Sequence, residues 1–169
     1  MGHAVRRWAA ILGTQAVLAA CVPTTPASGG QTGLTLNAEG RLTMAVAWCD
    51  QAPDGVIVYR RSGGELLDQA ELKGPALSGK IAFVDLEELP EGWSLTEGDL
   101  NLRAEESYEI AAFKSGRQLV YFSVNLKEGH KSRLDRDHIV VQRHDTTEEG
   151  GHDVELSEAA FMAQAVKSC

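Results

Sequence analysis

Imidazole and carboxylate side chains crowd the C-terminal part of this chain. His130, Asp135, Asp137, His138, His144, Asp145, Glu148, Glu149, His152 and Asp153 follow in close succession, and every histidine after residue 20 is among them. Nitrogen and oxygen donors of this kind suit zinc or copper. His144-Asp145 and His152-Asp153 flank a Glu-Glu-Gly-Gly stretch that could close around an ion, so these four residues are the candidate ligands. Against this, Lys131, Arg133, Arg136 and Arg143 are interleaved, and the spacing matches no known site. The alternative is a charged loop facing water. Catalytic motifs are absent: there is no Gly-x-Ser-x-Gly, no phosphate-cradling Gly-x4-Gly-Lys completed by Ser or Thr, no His-Glu-x-x-His and no Cys-x-x-Cys. Glu87-Glu88 and Glu105-Glu106 are sequence neighbours, which in extended chain point opposite ways and make poor acid–base pairs. Trp93 sits in the loop-like stretch Glu91-Gly92-Trp93-Ser94, either as a platform for sugars or half-buried against its own domain. These features argue for a protein that is not an enzyme.

The other reactive side chains are three cysteines, Cys21, Cys49 and Cys169. Before Cys21 stand Arg6 and Arg7, then the apolar runs Trp8–Leu12 and Ala16–Ala20. The apolar stretch is shorter than the ~20 residues of a membrane-spanning helix and ends in small residues, as a removable secretory signal does. Residues 1–20 therefore read as a signal peptide. Met1-Gly2 is no myristoylation start, because Arg6 stands where that motif needs Ser or Thr. Leu18-Ala19-Ala20-Cys21 resembles the lipobox of bacterial lipoproteins. The resemblance implies that Cys21 becomes the first residue, carries a diacylglyceryl group and often a palmitate-type acyl chain, and anchors the protein on the extracytoplasmic face of the cell membrane. Two or more acyl chains hold stably, at ~0.8 kcal/mol per buried methylene. Residues 21–33, rich in Pro, Thr, Ser and Gly, then read as a disordered tether.

With Cys21 lipidated, two cysteines remain in an exported protein, and an even pair there reads as a Cys49–Cys169 disulfide, the alternative being two free thiols. Taking 20 residues from 169 leaves 149, enough for one domain with a real core. Losing Arg6 and Arg7 takes the formal charge from −8 to −10, and no basic stripe exists. That argues against nucleic-acid partners and leaves the lipid as the membrane contact.

The elements that must position these residues are mostly strands. Leu42, Met44, Val46 and Trp48 alternate with smaller residues along one predicted strand. Turn chemistry at 50–55 leads to Val56–Arg60, and further strands are expected at 65–72, 80–84, 100–102, 108–114, 117–126 and 138–143. Ser115-Gly116 marks a hairpin turn. Ser157 can cap a helix through Val166. Short strands with regular turns indicate a β-sandwich.

Val46-Ala47-Trp48, Pro53 and Val56-Ile57-Val58-Tyr59-Arg60 resemble the second and third strands of a fibronectin type III domain. Leu102 followed by Tyr108-Glu109-Ile110-Ala111 is similar to that family's tyrosine corner, although Ala104 stands where the family has proline. Immunoglobulin-like sandwiches share these features. The resemblance covers residues 34–127 and implies an immunoglobulin/fibronectin-III-like sandwich; residues 128–169 form a C-terminal extension with a strand and a helix, part of the same domain. If Trp48 points inward, Cys49 and its small same-face neighbours Thr43, Ala45 and Ala47 point outward. On the helix, Ala159, Met162, Ala163 and Val166 form an apolar stripe, which Cys169 extends. The helix is thus expected across the outer face of that sheet, stapled by Cys49–Cys169 and worth ~5 kcal/mol at most through loop entropy. Location, fold and missing motifs together point to a lipid-anchored envelope module that recognises a protein or a cell-wall component, with extracytoplasmic zinc or copper binding as the alternative.

Overall fold

The computed structural model describes residues 29–116, 119–120, 123–143 and 152–169. The predicted signal peptide, Cys21, the tether up to residue 28, and the candidate ligands His144 and Asp145 lie outside the described residues. Eleven strands and one α-helix follow in the order β1 (Gly30–Leu36), β2 (Leu42–Trp48), β3 (Gly55–Ser62), β4 (Glu65–Lys73), β5 (Ile81–Asp85), β6 (Ser94–Gly98), β7 (Ser107–Lys114), β8 (Leu119–Val120), β9 (Val124–Leu126), β10 (Ile139–Arg143), β11 (His152–Leu156) and α1 (Glu158–Lys167), with a 3-10 turn at His130–Arg133 before β10. One sheet runs β11-β10-β1-β2-β5 and the other β6-β4-β3-β7, with β8 and β9 both on the far edge of β7; all pairings are antiparallel. The fold is the expected β-sandwich with a C-terminal helix on one sheet.

Alternation on β2 decides which side faces in. Leu42, Met44, Val46 and Trp48 join Val56, Val58, Leu72, Tyr108 and Ile110 in the core between the sheets. Burial of side chains this size contributes about 1.5–3 kcal/mol each. Ala45 and Ala47 face the other way and meet Ile139, Val141, Phe161 and Ala165 under α1. Small residues on β2 let the helix approach the sheet closely. Ser157 caps α1, its hydroxyl accepting from the Ala160 N–H at 3.3 Å. The Cys49–Cys169 disulfide closes the arrangement across 120 positions of sequence, with the two Cα atoms 5.6 Å apart.

Several expectations are corrected. Residues 30–33, expected in the tether, are buried in β1 and paired with β2. A Cβ at Gly33 would lie 2.5 Å from Ile139 Cγ2 and 2.9 Å from the Val140 carbonyl oxygen, so glycine is what lets β10 close on β1. Residues 100–102 form no strand: the Leu102 N–H bonds the Leu100 carbonyl at 2.8 Å, a tight turn into the following corner. Of the strand expected over 117–126, the described residues give β8 and β9, which pair with β7 one residue out of register with each other. The buried residues of α1 are Phe161 and Ala165, four apart, with Met162 packed against their cluster. Val166 is 66% exposed, and Ala159 and Ala163 also face solvent. One phenylalanine buries more apolar area than two alanines, so it sets the rotation of the helix. Trp93 is buried, its ring over the backbone of Gly74, and belongs to the core.

Candidate functional site

The turn at Leu100–Leu102 aims the chain at Tyr108, which is fully buried at the start of β7. The Tyr108 hydroxyl accepts from the Arg103 N–H at 2.8 Å and donates to Glu106 Oε2 at 2.9 Å. This is a tyrosine corner, the hydroxyl tying a strand start to upstream backbone. Burial pushes the phenol pKa up, and the bond to Glu106 adds to that. Glu106, held below the ordinary carboxylate range first by that bond, pairs with Arg60 at 3.2 Å.

The segment after β9 packs against this corner. The Gly129 N–H bonds the Ala104 carbonyl at 3.0 Å, and Gly129, at φ 70°, turns the chain into the 3-10 turn. Between corner and turn lies a cleft of about 150 Å³. Leu42, Leu102 and Leu126 supply its apolar lining; Glu87, Arg103, Lys127 and Lys131 supply charge of both signs, and His130 an imidazole. Lys131 pairs with Glu87 across it. A second cleft of about 140 Å³ lies on the other side of His130, lined by Arg133, Leu134, Val140, Asp153 and Glu155.

His130 is the wall between the two. Its side chain is only 12% exposed, with Nε2 3.5 Å from Asp153 Oδ2. Burial lowers its pKa; Asp153 opposes that, and Arg133 and Lys127 reinforce it. Lys127 reaches the same carboxylate at 3.4 Å. The imidazole is therefore neutral near pH 7. The neighbouring Ser132 hydroxyl donates to the Gly129 carbonyl at 2.8 Å.

The described part of the histidine-rich region separates into local contacts. Asp153 meets His130, not His152, because neighbours on β11 point to opposite faces. His138 Nδ1 lies 3.1 Å from Asp135, whose carboxylate also accepts the Asp137 and His138 N–H groups. Their mutual bond raises the His138 pKa and lowers that of Asp135. The Asp135 carbonyl accepts from the Leu36 N–H and the Thr35 hydroxyl, so this pair braces the approach to β10. Among the described residues no three His, Cys, Asp or Glu side chains converge on one point. The His130–Asp153 pair was inside the region that the sequence singles out, but 23 positions separate its members and no periodicity joins them. No protein-family model, curated protein or solved structure matches this chain.

Proposed function

We propose that this protein is a lipid-anchored module of the bacterial envelope, held to the membrane through Cys21, that binds a protein or cell-wall component without catalysing a reaction. The observation that supports this reading is the polarity of the fold. The described chain begins at Gly29, whose carbonyl accepts from the Cys49 N–H, at the end of β2 where the disulfide lies. The clefts flanking His130 lie at the other end, beside Leu42, where β2 begins. The seven residues of β2 put ~20 Å between the two poles. A tether from Cys21 would therefore hold the disulfide pole towards the membrane and hold the clefts away from it. An apolar floor with a rim of mixed charge suits a peptide-like ligand more than a bare anion or a metal ion.

Two measurements test the reading. In a bacterial host, radiolabelled palmitate should enter the full chain, and Cys21→Ser should abolish the label and release the protein from membranes. Label persisting in that variant would end the anchoring claim. For binding, a photoreactive side chain at Lys131 should cross-link to an envelope protein or to added purified peptidoglycan, whereas the same group at Lys73, on the opposite pole, should not. Equal yields at both sites would remove the cleft as the binding surface.

A further inference from the structure

Both sheets end in edge strands, and three of the four edges are guarded. β6 ends in Gly98 at φ 73° after a register shift against β4; β8 and β9 pair with β7 one residue out of register with each other; β11 carries Asp153 and Glu155. Charges, bulges and breaks of this kind prevent edge-to-edge pairing. β5, Ile-Ala-Phe-Val-Asp, has no bulge, proline, glycine or lysine within it. Its bonding pattern is fixed at both ends: the Lys80 carbonyl accepts from the Trp48 N–H, and the Leu86 N–H donates to the Leu42 carbonyl. Alternation then turns Ala82 and Val84 towards β2 and leaves the N–H and C=O groups of Ile81, Phe83 and Asp85 on the free edge. No described strand pairs with that edge.

The side chains agree with the backbone. Ile81 and Phe83 lie on the outer face opposite Ala47 and Ala45, and Phe83 is 44% exposed. α1 covers β1 and β2 beside them. Its Gln164 bonds Arg143 on the β10 side, which puts Met162 and the exposed Val166 on the flank towards β5. An open edge and an apolar strip therefore coincide.

We propose that β5 pairs antiparallel with β5 of a second copy, about a two-fold axis through Phe83, joining two five-stranded sheets into one. Self-pairing is favoured by charge. Lys80 precedes the strand, and Asp85, Glu87 and Glu88 end or follow it. A two-fold antiparallel register lays the cationic end of one strand along the acidic end of the other. It sets Phe83 against Phe83 and Ile81 against Asp85, with no acid opposite an acid. The acids keep Arg41 and Lys131 as partners within their own chain, so the charge pattern orients the pair and the aromatic strip holds it. A five-residue edge is a small interface, which makes the dimer concentration-dependent.

The test uses the full chain with Cys21→Ser, solubilised in density-matched detergent, so that an added thiol has no other free thiol to meet. Sedimentation should show a mass that rises with concentration towards twice that of one chain. Phe83→Lys, at an exposed position, should weaken this association by about tenfold or more, because two like charges then face each other. Phe83→Cys should form a disulfide-linked homodimer on mild oxidation in several-fold higher yield than Leu95→Cys on the β6 edge. Three results would each overturn the proposal: a single-chain mass at every concentration, undiminished association of Phe83→Lys, or equal yields from the two cysteine variants. Cross-linking of Phe83→Cys to a different protein, with no homodimer, would overturn the choice of occupant.

Discussion

The two faces of β2 are built on opposite plans. The inner face presents Leu42, Met44, Val46 and Trp48 to a whole second sheet, and large side chains from both layers interdigitate. The outer face presents Thr43, Ala45 and Ala47, and one ten-residue helix covers part of it through Phe161 and Ala165. The inner face is held by many contacts that share the load. The outer cover depends on one large side chain and one covalent bond. The domain is therefore expected to have a cooperative body and a separable lid, since a helix this short has little stability apart from its packing.

The contrast breaks first on the inner side. Trp48→Ala should cost about 3–5 kcal/mol and lower the global unfolding midpoint, measured by denaturant titration. Phe161→Ala removes a side chain as deeply buried, but its cost is capped by the free energy of undocking α1. Global stability should fall by roughly 1–2 kcal/mol. Hydrogen exchange should then accelerate in α1 while the amides of β2, β3 and β7 stay protected. Uniform acceleration across both regions would show that lid and body unfold as one unit. Tyr108→Phe comes next in size. It leaves the buried core intact but orphans the Arg103 N–H, at about 1–2 kcal/mol. The loss should appear in the corner and the adjoining cleft, as faster exchange of the Arg103 and Gly129 amides.

What the sequence disclosed follows the same division. Strands rich in alternating large apolar or β-branched residues were readable, which is why β2 and β7 are found within a residue of their expected bounds and β3 runs two residues past its expected end. The corner was readable because Leu102 stands six residues before Tyr108, the spacing that the resemblance singles out. β1 was not, because Gly30-Gln31-Thr32-Gly33 has tether-like composition. It is buried because β2 and β10 flank it, and the Gln31 Oε1 and Thr32 Oγ1 atoms go in without a described partner. β6 was missed because all five residues are exposed and packing leaves no apolar mark on it. β11 did carry a signal, Val154 alternating with Leu156, which the neighbouring charges hid. The cleft was least legible. Leu42, Leu102, Leu126 and His130 meet only through the sandwich topology, and short-range spacing carries no trace of that.

The smallest effect separates two histidines that the sequence presents alike. His130 is shielded, so its pKa lies below the ordinary value of about 6.5. The folded state then binds fewer protons than the unfolded state just below that value, and stability should decline as pH falls through it. Lys127 and Arg133 repel the added charge, while Asp153 attracts it only partly, at 3.5 Å. His138, in solvent beside Asp135, has the opposite sign. Its pKa is raised, so it adds stability that is complete below about 6.5 and fades as pH rises through the folded-state value. Imidazole resonances followed by NMR should titrate on opposite sides of the ordinary value, His130 below and His138 above. His130→Gln should remove the acid-side decline, leaving stability flatter between neutral pH and the carboxylate range. If His130 titrates above 6.5, its pairing with Asp153 outweighs burial, and the wall between the two clefts is an ion pair instead of a neutral ring.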